Sequence, residues 1–207
     1  MEPILNKKYI KNAVKKANDI LHNGGLVIFP TETVYGIGAN ATNPTAIKRI
    51  YEIKNRSYNN PLICHFQSLQ KIKNEFEMNE VANKLADYFW PGPLTLILKK
   101  KKSSIISPNV SNYKEFVGCR IPNNPIANEL LESVPFPIAA PSANISTKLS
   151  TTNIKHLDNK LKNKVFFING GDSRLGLEST VLDVSSKQPK ILRYGTITVE
   201  QLKKIIP

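Results

Sequence analysis

The sequence predicts an α/β fold: one domain with a twisted, mixed sheet and flanking helices. Apolar stripes at helical spacing recur along the chain and are stopped by glycine or proline. Short apolar runs of strand length lie between them. Some of these runs follow one another without a helix, so the sheet cannot be purely parallel.

Ile10, Ala13, Val14, Ala17, Ile20 and Leu21 give the first helical face, stopped at Gly24-Gly25. Leu26 to Phe29 is a buried strand closed by Pro30. Asn43-Pro44 is a cap followed by proline at the first helical position, and Ala46, Ile47, Ile50 and Tyr51 line that helix to about Asn55. Pro61 to Phe66 reads as a strand. Val81, Ala82, Leu85, Ala86 and Phe89 form a helical face broken by Trp90-Pro91-Gly92-Pro93, and Leu94 to Leu98 is the next strand. Lys99 to Asn112 reads as a loop. Phe116 to Ile121 is a strand, Asn124-Pro125 starts a helix carrying Ile126, Leu130 and Leu131, and Phe136 to Ala140 is a strand. Val165 to Ile168, Thr180 to Val184 and Ile191-Leu192 complete the strands, with a last helix over Val199 to Ile206.

At 207 residues, 41% hydrophobic and 22% charged, the chain can bury a core without staples, and disorder, collagen and coiled coil are excluded. No window approaches the roughly 18 apolar residues of a membrane span, and Met1 to Lys8 lacks the apolar core of a secretory signal, so no membrane association and a cytoplasmic location are expected. The balance of 29 Lys+Arg against 16 Asp+Glu gives +13, a surface suited to nucleotides, RNA or acidic lipids, although a lysine-rich composition alone can produce it. Cys64 and Cys119 lie in apolar surroundings with no CxxC and no metal spacing, which predicts two buried free thiols.

No phosphate-cradling P-loop and no GxSxG are present, and the three histidines lack metal-ligand spacing. Gly36-Ile37-Gly38-Ala39-Asn40-Ala41 matches a dinucleotide fingerprint only loosely, because the glycines do not stand directly between strand and helix. Four loops remain informative. Pro30 to Gly36 carries hydroxyls and glycine after a strand, where α/β sheets bind ligands. Lys54-Asn55-Arg56 leaves a helix, and its two cations can converge on one anion or simply complement the helix dipole. Pro141-Ser142-Ala143-Asn144 offers a hydroxyl and an amide on one side of an extended segment. Gly176 to Thr180 enters a strand. Of only five arginines, Arg56, Arg120, Arg174 and Arg193 fall where a cavity can use them, whereas Arg49 sits mid-helix as solvated surface. Alternation places Cys119 opposite Arg120, and Cys64 opposite His65.

Pro30-Thr31-Glu32-Thr33-Val34-Tyr35-Gly36, Lys54-x-Arg56, Pro61-Leu62-Ile63-x-His65, Phe89-Trp90-Pro91-Gly92-Pro93-Leu94-Thr95, Arg120-x-Pro122, Ala140-Pro141-Ser142-Ala143-Asn144 and Glu178-Ser179-Thr180-Val181 together resemble, in order and spacing, the YrdC-like threonylcarbamoyl-AMP synthases. The resemblance runs from about Ile10 to Gly195. It implies a catalytic domain over residues 10–198 around a basic concave cavity, in the short form without a second C-terminal domain.

It also implies a nucleotidyltransferase that makes threonylcarbamoyl-adenylate and pyrophosphate from L-threonine, bicarbonate and ATP. A transferase complex would then modify the tRNA adenosine beside the anticodon. Carried over by motif, Lys54, Arg56, Ser142 and Asn144 would be catalytic around ATP. Thr33, His65 and Arg120 would bind threonine, the arginine on its carboxylate, with Ser179 or Thr180 closing the pocket. Asn60, Thr152 and Arg193 would complete the nucleotide site. Mg2+ would ride on the ATP phosphates without protein ligands. Ser57 and Tyr194 stand where the family often has proline, and the loop Ser146 to Thr152 lacks its usual glycine and proline. The competing expectations are a non-catalytic double-stranded RNA or tRNA-binding module, with Lys99 to Lys102 adding phosphate contacts, and a hydrolase or carbamoyl-transfer accessory on the same fold.

Overall fold

A computed structural model of the chain describes residues 6–186 and 188–206. In chain order the elements are α1 (Lys7–His22), β1 (Val27–Phe29), β2 (Gly36–Asn40), α2 (Pro44–Lys54), β3 (Ile63–His65), α3 (Leu69–Glu75), β4 (Phe76–Glu77), α4 (Glu80–Phe89), β5 (Leu94–Lys100), β6 (Phe116–Arg120), α5 (Pro125–Ser133), β7 (Ile138–Ala139), α6 (Asn159–Lys162), β8 (Phe166–Phe167), β9 (Thr180–Asp183), β10 (Lys190–Arg193) and α7 (Val199–Lys203). The strands form one mixed sheet in the order β10-β9-β5-β6-β3-β7-β2-β1-β8, with β4 added beside β5. The fold class is the α/β arrangement that the sequence predicts.

The helix starts follow their caps. Asn43 and Asn124 each accept two backbone N–H groups ahead of a first-turn proline, closing donors that a helix leaves open. Asn55 ends α2 in the left-handed region at φ 49°, which asparagine tolerates better than most residues.

Four stretches differ from the sequence reading. Residues 36–40, to which the sequence reading gives no element, form β2. Its Gly-Ile-Gly-Ala-Asn composition hides a strand because close packing demands small residues: a Cβ on Gly38 would lie 2.6 Å from Ile138 Cγ2 and 2.8 Å from Phe29 Cε1. Lys99 and Lys100 continue β5 and pair with β4, so the loop begins later than expected. Leu69–Glu75 forms a helix that its short, mostly polar sequence does not announce, and α7 is shorter than the expected Val199 to Ile206.

The sheet is buried on both faces, unevenly. Ile47, Ile50, Leu85, Leu96, Cys64 and Cys119 join the core under α2, α3 and α4. On the opposite face α1 and α5 cover Val27, Phe29, Ile138 and Ala140. Both cysteines are buried free thiols, as predicted, and burial pushes both above the usual thiol range. In the parallel pair β3–β6, Cys64 faces Cys119 and His65 faces Arg120. Alternation then turns the cysteines into the α2–α4 core and presents His65 and Arg120 on the opposite side. No helix among the described residues is long and apolar enough to cross a membrane.

Candidate active site

An open cleft of about 530 Å³ lies over the face that carries His65 and Arg120. Its wall includes Thr33, Arg56, His65, Arg120, Ser142 and Ser179, and no residue of α1 or α5. The cleft therefore sits across the sheet face, where the helical cover stops, and loops border it.

Arg120 is buried at the end of β6. Its guanidinium makes an ion pair with the buried Glu32 carboxylate at 2.6 Å. Nη1 donates to Thr33 Oγ1 at 3.0 Å and Nε to the Gly92 carbonyl at 3.1 Å. Removing either charge would strand the other in the interior. Thr33 Oγ1 also lies 2.8 Å from the Thr31 hydroxyl, so the loop after β1 is fixed from within. His65 meets Phe29 edge-on at 6.0 Å. Burial, with Arg120 adding repulsion, pushes its imidazolium down to about 3, leaving a neutral ring at physiological pH.

Lys54 and Arg56 both feel the Glu178 carboxylate but make different hydrogen bonds. Lys54 is buried, and Nζ donates to the Ser142 carbonyl at 2.5 Å and to that of Asn144. Burial, then the nearby Arg56, lower its ammonium to about 7. Left-handed Asn55 turns the chain between the two, so Arg56 reaches the cleft while Lys54 holds the 142–144 segment from below. Arg56 donates from Nε to the Asn60 carbonyl and from Nη2 to that of Pro61. Asn60, expected at the nucleotide, is exposed, lines neither this cleft nor its neighbour, and contributes a carbonyl that aims Arg56. Ser142 lines the cleft. Asn144 lines the neighbouring one, with Nδ2 donating to the Lys148 carbonyl at 2.6 Å.

That neighbouring cleft is larger, about 1590 Å³, and is walled by the segment Asn144 to Thr152 with His156, Asp158 and Gly176 to Glu178. Thr152 lines it, away from the first cleft. Glu178 borders both. Its carboxylate pairs with Arg193 Nη1 and accepts from Ser150 Oγ at 2.8 Å. Burial acts to raise this carboxyl, but Arg193, the Ser150 and Ser142 hydroxyls and Arg56 outweigh it and hold it below the usual range. Arg193 also donates to the Ser179 carbonyl and hydroxyl, and Ser179 shares a 2.8 Å hydrogen bond with Thr95. Thr180 does not close the pocket: its hydroxyl donates to the Ile197 carbonyl and accepts the Ile197 N–H, entirely within the core.

Arg174 is exposed and outside both walls, and Arg49 donates to the Gly24 carbonyl. The expected basic cavity is thus three guanidiniums, two of them already matched to carboxylates. Glu32 and Glu178 are the site partners that sequence reasoning missed. Both lie inside the quoted motifs, but nothing in their spacing shows which charge each one meets. Among the described residues no group of three or more His, Cys, Asp or Glu could hold a metal ion.

A family model for Sua5, YciO and YrdC, described as telomere recombination, matches residues 19–195. The threonylcarbamoyl-AMP synthase of Pyrococcus abyssi is 43% identical over 195 residues, 93% of this chain and 57% of that protein. That of Bacillus subtilis is 42% identical over 195 residues, 93% of this chain and 56% of that protein. The P. abyssi Sua5 structure in complex with L-threonine superposes with a TM-score of 0.89 at 42% identity, over 93% of this chain and 57% of that one. The chain therefore spans little more than half the length of these relatives. With motifs, topology and matched residues in agreement, the chain belongs to the Sua5/YciO/YrdC family.

Proposed function

We propose that this chain is a nucleotidyltransferase that joins L-threonine, bicarbonate and ATP into threonylcarbamoyl-AMP, releasing pyrophosphate. The observation that carries the proposal is the buried Thr33–Arg120–His65 set, in a cleft that meets a larger one at Glu178. The smaller cleft suits an amino acid and the larger one a nucleotide. A Sua5 protein of closely similar fold binds L-threonine, which supports the same assignment here.

The chemistry brings three anions together: the threonine carboxylate, the carbamate formed on its nitrogen, and the triphosphate. Arg120 would take the carboxylate through a charge-assisted pair. Bicarbonate carboxylates the amine with loss of water. A carbamate oxygen then attacks the α-phosphorus, and pyrophosphate leaves with the electron pair. Arg56, Arg193 and Ser142 would offset the charge that develops on the phosphates. Magnesium would enter as part of the ATP substrate. His65, neutral, would orient threonine by hydrogen bonding and adds no charge. No covalent enzyme intermediate is required, because positioning and electrostatics supply the rate. The proposal carries with it a cytoplasmic setting, with tRNA and a threonylcarbamoyl transferase complex downstream.

The test mixes protein, magnesium–ATP, bicarbonate and threonine and measures pyrophosphate. Release is expected only when threonine and bicarbonate are both present. Binding of double-stranded RNA or tRNA without that release would overturn the enzyme in favour of a binding module.

A further inference from the structure

Glu178 is the one residue that lines both clefts. Four groups gather on its carboxylate: Arg193 by an ion pair, Ser150 by a hydrogen bond, Ser142 by its hydroxyl and Arg56 by its field. A guanidinium and a hydroxyl in contact with an anion, with a second guanidinium and a second hydroxyl beside them on the cleft wall, form the kind of set that binds a phosphate. Here the anion belongs to the protein. It is also only half-buried, unlike Glu32, which is sealed beneath Arg120. The Ser150 bond further ties the wall segment of the larger cleft to the edge of the smaller one.

From this placement we infer that Glu178 is a displaceable internal counter-ion, which holds the phosphate-binding groups in place and stands between the two clefts until a polyphosphate takes its position. The inference rests on the proposed function, because it requires a triphosphate that reaches across the junction from the larger cleft to Arg193, Arg56 and Ser142 at the edge of the smaller one. Its consequence is selective. A weakly charged anion does not repay removal of a carboxylate from Arg193, whereas a triphosphate does, and its arrival frees Ser150 and opens the partition between carbamate and α-phosphorus.

The experiment measures inorganic triphosphate and a non-hydrolysable ATP analogue binding to the wild-type chain, Glu178→Gln and Glu178→Asp by calorimetry, with pyrophosphate release followed in parallel. Glu178→Gln keeps the shape and removes the charge, so triphosphate should bind about tenfold tighter. Glu178→Asp should remain near wild type. Because Ser150→Ala cuts the tie without changing charge, it should tighten triphosphate by less than Glu178→Gln does. An unchanged melting temperature would show that the variants are folded. If triphosphate binds Glu178→Gln equally or more weakly, the carboxylate is a fixed support for Arg193 and the inference is overturned, while pyrophosphate release by the wild-type chain leaves the enzyme reading standing. If no variant binds triphosphate and no pyrophosphate appears, both are overturned.

Discussion

The two clefts are built by different means. The smaller one takes its central groups from adjacent strands: Arg120 and His65 stand opposite one another in the β3–β6 pair, both buried, with Glu32, Thr33 and Gly92 fixing the guanidinium. The larger one is walled by the segment from Asn144 to Thr152, where Thr147 has φ 75° and Leu149 is 94% exposed. Strand-held groups are pre-organised and intolerant of change. Loop-held groups adjust to a ligand and lose less when one is removed. An amino acid must be recognised by a few atoms, so its cleft needs rigid geometry. A nucleotide offers many contacts and can be gathered by a pliable wall.

The largest expected effect breaks the rigid side. Arg120→Ala should raise the threonine KM by about tenfold to a hundredfold, the worth of one charge-assisted contact. It should also destabilise the fold by about 3–5 kcal/mol, because Glu32 is left buried without its partner. Steady-state kinetics with each substrate varied, alongside urea unfolding, measure both. An equal rise in the ATP KM would erase the distinction between the clefts. Arg56 lines the same smaller cleft from a loop, so Arg56→Ala should reduce turnover by about tenfold while leaving the urea midpoint unchanged, since its partners are two surface carbonyls. A large loss of stability would mean that this loop is as rigid as the strands.

A pH series sharpens the comparison at the junction. The folded chain releases the Lys54 proton near 7, whereas the unfolded chain keeps it to about 10.5. Between these values the unfolded state binds more protons, so stability should rise with pH from about 7 to 10 relative to Lys54→Met. Parallel unfolding curves for the two proteins would contradict the burial of an ammonium there. The smallest effect is Thr180→Val, which should cost about 1 kcal/mol and leave the threonine KM unchanged, because that hydroxyl serves Ile197 alone.

These contrasts also set what was legible beforehand. α1, α2, α4 and α5 follow their apolar stripes because each covers one face of the sheet. β2 was invisible because its glycines answer to Phe29 and Ile138, partners far away in sequence. The motif around Lys54 and Arg56 could be read, but not that the Lys54 ammonium is taken up by the Ser142 and Asn144 carbonyls, partners far away in sequence. Thr180 and Asn60 share motifs or neighbourhoods with cleft residues yet point elsewhere, a matter of strand phase and of which atom of a residue is used. Glu32 and Glu178 were in plain view as letters, but a counter-ion is a relation between two places in space.

The β3–β6 register has a consequence for how this chemistry can vary. The separation of His65 from Arg120 is a property of the main-chain ladder, with side-chain rotation only trimming it. A shift of one residue in β6 would turn the Cys119 thiol toward the cleft and drive the Arg120 guanidinium into the oily interior, and one in β3 would exchange His65 for Cys64. The pair thus works as a ruler ruled in peptide units: it can be kept whole or lost, but it cannot be stretched.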